Sequence, residues 1–272
     1  MGAVAARRPS ILTPVVGVLL ALLVLSASWA GTAALTGVVV IAALAVCLEL
    51  SALLAQNEIR TRRLTMAAMA AALPLITHRW GEGALGASLG IASAVVLGSF
   101  LVGGLKQGVL LAAATTAFGG IYAGLPASYT VLLRDVQGGR KLILVLALML
   151  AGYHLGRFVG TRRLRTPHIL PEVPASLTWS GLGLGLAGAL LGAVPAAALV
   201  GLGFSPVVVI VIGSIVGAAA ACGDLAAALL LNRLGVKERE ASVPGLGGLI
   251  AVSAAAMFAA PACLYALRLY LT

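Results

Sequence analysis

Uncharged apolar runs about as long as a bilayer is thick recur from one end of this chain to the other, and no other feature restricts its fold so far. A hydrocarbon core roughly 30 Å thick takes about 20 helical residues to cross, because unpaired backbone polar groups are too costly in lipid. Reading between the charges predicts nine helices, over residues 11–30, 33–55, 64–77, 84–105, 108–133, 142–160, 177–200, 204–231 and 245–267. The third run is the exception: at 14 residues it must tilt, borrow interfacial residues or stop short of a full crossing. The runs are continuously apolar and rich in Ala, Leu and Gly, with none of the two-residue alternation of a membrane β-barrel. With 61% of 272 residues hydrophobic and only 10% charged, a soluble globular enzyme is excluded as well. The expected fold is an all-α polytopic integral membrane protein, a single transmembrane domain over residues 1–272. Arg7-Arg8 before the first run imitates a signal peptide, but the run reaches Ala30 and further spans follow, so it is read as a retained helix.

The charges then orient the chain. Eighteen Lys and Arg against eight acids give +10, but the basic residues lie between the apolar runs, which suits loops facing anionic lipid and not nucleic acid. A cytoplasmic N-terminus places Arg7, Arg8, Arg60, Arg62, Arg63, Lys106, Arg157, Arg162, Arg163, Arg165, Arg233, Lys237 and Arg239 inside. It leaves Arg79, Arg134, Arg140, Lys141 and Arg268 outside. The expected location is a bacterial inner, cytoplasmic membrane with the N-terminus in the cytoplasm, although the Arg134 to Lys141 loop runs against that rule. Cys47, Cys222 and Cys263 lie in apolar stretches without metal-like spacing and read as small packing residues. Small-residue pairs four apart, Gly86/Gly90, Gly181/Gly185, Gly188/Gly192 and Gly213/Gly217, read as close helix contacts.

Two segments depart from featureless apolarity. Gly156 to Gly181 carries Arg157, Arg162, Arg163 and Arg165 before three prolines that hold the chain extended. Clustered guanidiniums suit phosphate, and the plainer reading is a positive-inside anchor. Cys222 to Leu249 carries Asp224, the one acid within the last four predicted spans, followed by Arg233, Lys237 and Glu238. A carboxylate inside a membrane span is costly without a partner, so Asp224 is either a functional group or one half of a structural ion pair. Pro244 to Gly248 is a turn whose backbone N–H groups, at Gly245, Gly247 and Gly248, could receive an anion at the start of the ninth helix.

Taken in order, these blocks resemble the phosphatidate cytidylyltransferases, or CDP-diacylglycerol synthases, polytopic enzymes that join CTP to phosphatidate with release of pyrophosphate. The resemblance spans nearly the whole chain. It comprises the basic residues before the first span, Leu48-Glu49, Phe118 to Arg134, Gly152 to Gly160, Thr178 to Gly181, and Gly-Asp-Leu, Gly-Val-Lys-Glu and Pro-Gly-Leu-Gly-Gly between Gly223 and Gly248. It implies Asp224 and Lys237 as catalytic residues, Arg157, Arg163, Arg233, Gly245, Gly247 and Gly248 as phosphate contacts, and Asp224 with Glu238 as magnesium ligands.

The chain departs from the family pattern at charged positions. Met149 stands where that pattern has an acid four residues before a tyrosine. Pro174 to Gly181 lacks the lysine and glutamate of the corresponding stretch. Ala227-Ala228 stand for Glu-Ser, Leu231-Asn232 for Lys-Arg, Leu246 for a histidine, and Ala251 to Ala254 for Asp-Arg-x-Asp. Joining two polyanions takes Mg²⁺ held by carboxylates together with cationic clamps. Loss of one charge-stabilising group costs on the order of a hundredfold, so losing several leaves little activity. Three readings follow. The first is a non-catalytic relative that binds membrane lipid such as phosphatidate, or serves as a subunit in a homo- or hetero-oligomer. The second is a divergent active enzyme using CTP and Asp224-bound Mg²⁺. The third is an unrelated, transporter-like membrane protein.

Overall fold

The computed structural model describes residues 12–102, 108–164, 166–167, 169, 177–200, 205–235 and 248–271. Over these residues the chain forms nine helices: α1 (Leu12–Ala30), α2 (Thr32–Gln56), α3 (Arg63–Trp80), α4 (Gly83–Val102), α5 (Val109–Asp135), α6 (Gly139–Arg163), α7 (Trp179–Val200), α8 (Pro206–Arg233) and α9 (Leu249–Leu271). Each grows from one of the apolar runs. Among the described residues, α2 and α4 to α9 are long and apolar enough to cross a bilayer. The protein is an all-α polytopic integral membrane protein.

The helices gather into two compact units, one over Leu23–Ile143 and one over Leu144–Thr272 together with the residues before Leu23. In the first, α3 packs against α2, α4 and α5. Its buried positions, Met66, Met69, Ala70, Leu73, Pro74 and Thr77, follow the three-and-four spacing of one helical face. Gly119, Gly120 and Gly124 of α5 admit that face. A Cβ on Gly124 would come within 2.8 Å of the Ala70 carbonyl oxygen, and one on Gly120 equally close to the Met69 sulfur. The short third run thus becomes an 18-residue helix with Arg63 at one end and His78 and Arg79 at the other, packed along one face. Outside the enclosed face, Arg62 lies over the Phe100 ring, 4.7 Å from its centroid.

The second unit is assembled on small residues. α8 packs against both α7 and α9, with Gly213 and Gly217 against Ala193 and Ala189 of α7. Gly223 lies against the Ala254 carbonyl and Phe258 of α9. Two expectations differ from the structure: Gly86 and Gly90 face open space instead of a helix, and Cys222 is exposed while Cys47 and Cys263 are buried.

Candidate functional site

The seam between α6 and α7 sets the site. On α6, Gly152, Gly156 and Gly160 recur every four residues and so share one face. A Cβ on any of them would strike the backbone carbonyl of Gly188, Leu184 or Ser180 respectively, and one on Gly188 would strike Gly152 in return. With nothing but hydrogen on these carbons, the two backbones run in contact, as small-residue stripes allow in lipid. The end of the seam is tied by polar groups. Thr178 caps α7, its Oγ1 accepting from the Gly181 N–H at 3.1 Å. The Ser180 hydroxyl lies 3.1 Å from the Gly160 carbonyl and 3.0 Å from that of Leu164, partners for the exposed end of α6. Thr166 Oγ1 donates to Ser180 Oγ at 2.7 Å.

One position on from two of those glycines, and hence about 100° round the helix, stand Tyr153 and Arg157, themselves four apart. Both reach Asp224 of α8. The Tyr153 hydroxyl donates to Asp224 Oδ2 at 2.8 Å. Arg157 Nη1 pairs with the same oxygen. Tyr153 is wholly buried, and the Asp224 side chain keeps 2% of its exposure against 23% for Arg157. Asp224 is nine residues short of Arg233, about 14 Å along α8 at the helical rise, so it lies within the helix and not at its end. Its neighbour Gly223 meanwhile faces α9, which lets α8 touch α9 on one side and α6 on the other. Around this cluster Met149, Ala227, Ala228 and Ala254 are all buried.

Of the residues that the sequence marks, the structure brings together Arg157 and Asp224. Arg163 and Arg233 are exposed at the ends of α6 and α8. Gly248 is buried directly before α9 with φ +94, a conformation natural to glycine, and its carbonyl accepts from the Val252 N–H at 3.3 Å. Lys237, Glu238, Gly245 and Gly247 lie outside the described residues. Tyr153 is the functional candidate that the sequence reading missed. Its signal was the four-residue spacing to Arg157, which places a phenol and a guanidinium on one face.

Among the described residues of this unit Asp224 is the one acidic side chain, and no cluster of three or more His, Cys, Asp or Glu occurs among the described residues of the chain. The arrangement can therefore hold a compensated negative charge inside the helix bundle and present the outer part of one guanidinium. The Cytidylyltransferase family model matches residues 11–270. The chain belongs to the cytidylyltransferase family. No curated protein matches it. The family match reaches into all nine described helices, and within this cytidylyltransferase-family chain the α6–α8 cluster is where the described residues place a cation beside a buried carboxylate.

Proposed function

We propose that this protein is a family member in which the CTP-dependent, pyrophosphate-releasing reaction is lost or much reduced, and which acts in the membrane by binding anionic lipid such as phosphatidate or as a subunit of a larger assembly. One observation carries the reading: the Oδ2 oxygen of the Asp224 carboxylate is already engaged by both Arg157 and Tyr153. Mg²⁺ is bound through oxygen ligands, usually one or two carboxylates with water and substrate phosphates, and a pair of ions needs more. A carboxylate neutralised by a guanidinium, with no second acid among the described residues of its unit, does not fit a pair of magnesium ions. The burial of Met149, Ala227 and Ala254 supports the same conclusion. At these positions the pattern resembled in the sequence has acids, and here they are packed as apolar core. In this reading the N-terminus is cytoplasmic, the membrane is a bacterial inner membrane, and the partly exposed Arg157 with Arg163 and Arg233 meets lipid phosphate.

The test uses the purified full chain in detergent with CTP, phosphatidate and Mg²⁺, beside Asp224→Asn, with released pyrophosphate as the readout. The expected result is background release from both proteins, and anionic lipid retained in native mass spectrometry. Release by the wild type that Asp224→Asn abolishes would overturn the reading in favour of an active, Mg²⁺-dependent enzyme.

A further inference from the structure

A second cationic site lies in the other unit, at the turn joining α5 to α6. There a cavity of about 460 Å³ opens beside the first residue of α2, lined by Thr32, Arg134, Asp135, Gly139, Arg140 and Lys141 among others. Three cations face one carboxylate, and the cavity lies within the size range of small-ligand sites. Two helices start at its wall. Neither α2 nor α6 carries an acid in its first turn, and α2 is preceded by Gly31, which supplies no side-chain cap. The ends of α1 and α5 lie at the same turn, so the helix termini offset one another and the side chains set the charge of the cavity.

Arg134 is not a solvated surface charge. It is half-buried, and its Nε donates to the Ser28 carbonyl at the end of α1, at 3.1 Å. That bond seats the guanidinium at the cavity, while Arg140 and Lys141 are exposed at its mouth. In the proposed orientation, on which this step rests, this is also the loop that breaks the charge asymmetry of the chain: a membrane anchor belongs with the thirteen basic residues on the other side. Positive charge gathered round a concavity on the side that the proposed orientation disfavours calls for a ligand, and guanidinium and ammonium donors together select a phosphate oxygen.

We propose that this cavity binds the phosphate of an anionic molecule, either a phospholipid headgroup at the membrane surface or a free phosphate. The proposal does not rest on the reading of the Asp224 cluster, since it uses none of those residues.

The test places the full chain in phosphatidylcholine nanodiscs and titrates dioctanoyl phosphatidate and inorganic phosphate separately by calorimetry. Arg140→Gln/Lys141→Gln should weaken binding at least about tenfold. The charge-keeping Arg140→Lys/Lys141→Arg should retain it, and so should Arg79→Gln, which removes an exposed charge away from the cavity. Both pairs of substitutions fall on exposed side chains, and helicity by circular dichroism checks that each variant is folded. Loss confined to phosphatidate identifies a lipid headgroup, and equal loss for inorganic phosphate identifies a free anion; either supports the site. Binding that the double Gln variant keeps in full, equal loss in Arg79→Gln, or no binding of either probe overturns it.

Discussion

Asp224 and Arg157 are unequal partners, and the inequality has a measurable consequence. Removing one member of a buried pair costs about 3–5 kcal/mol because the other charge is stranded. Arg157→Ala strands a carboxylate that is almost wholly enclosed, whereas Asp224→Ala strands a guanidinium that is only partly enclosed. Arg157→Ala should therefore destabilise by close to that amount and Asp224→Ala by clearly less, with the double Ala variant no worse than Arg157→Ala, measured by denaturant unfolding in mixed micelles. Tyr153→Phe should cost about 1.5–3 kcal/mol, the worth of a hydrogen bond to a charged group. Equal costs for the two single Ala variants would show that the partial exposure of Arg157 gives its stranded charge no relief. Both charged residues were legible in the sequence because a charge inside an apolar run is conspicuous. Tyr153 was not, since a tyrosine in a membrane helix usually marks an interface or simply packs, and only its height relative to Arg157 distinguishes it.

Among the helices, glycine separates positions that look alike in the sequence. Gly156 lies against the Leu184 carbonyl, and Gly86 has open space around it. Gly156→Ala should push α6 from α7 and lower the melting temperature in detergent by several degrees, because a backbone carbonyl cannot rotate away. Gly86→Ala should leave it unchanged or raise it, since Ala is the better helix former by about 1 kcal/mol. Helix existence was readable from the apolar runs, and so were the contacts of Gly213 and Gly217. The expectation for Gly86/Gly90 failed and the stripes at Gly119/Gly120/Gly124 and Gly152/Gly156/Gly160 were overlooked for one reason. Spacing shows that a face is small, but not whether another helix occupies the space beside it. The third helix was hard to place for a plainer reason: Arg63, His78 and Arg79 fall within its 18 residues and leave only a short uncharged run between them.

At the level of the whole molecule, the two units, each of closely packed helices, carry separate clusters of charge. The proposed orientation puts the α5–α6 turn outside and the α2–α3 turn inside. In a cysteine-free background, Gln137→Cys should react with a membrane-impermeant maleimide added to intact cells, and Glu58→Cys only after permeabilisation; both positions are exposed. The reverse pattern would invert the topology.

The Arg157–Asp224 pair also bears on how such a chain is made. The two residues are 67 positions apart, so the ribosome delivers the arginine to the bilayer well before its counterion has been translated. A lone arginine near the middle of an inserting segment costs about 2.5–3.5 kcal/mol. Arg157, six residues from the end of α6 and about 9 Å from it by helical rise, can meet part of that cost by stretching toward the headgroups. A nascent chain stopped after α7 should therefore hold α6 shallowly, with Arg157→Leu seating it more deeply, and release of α8 should draw the arginine back inward before α9 is added.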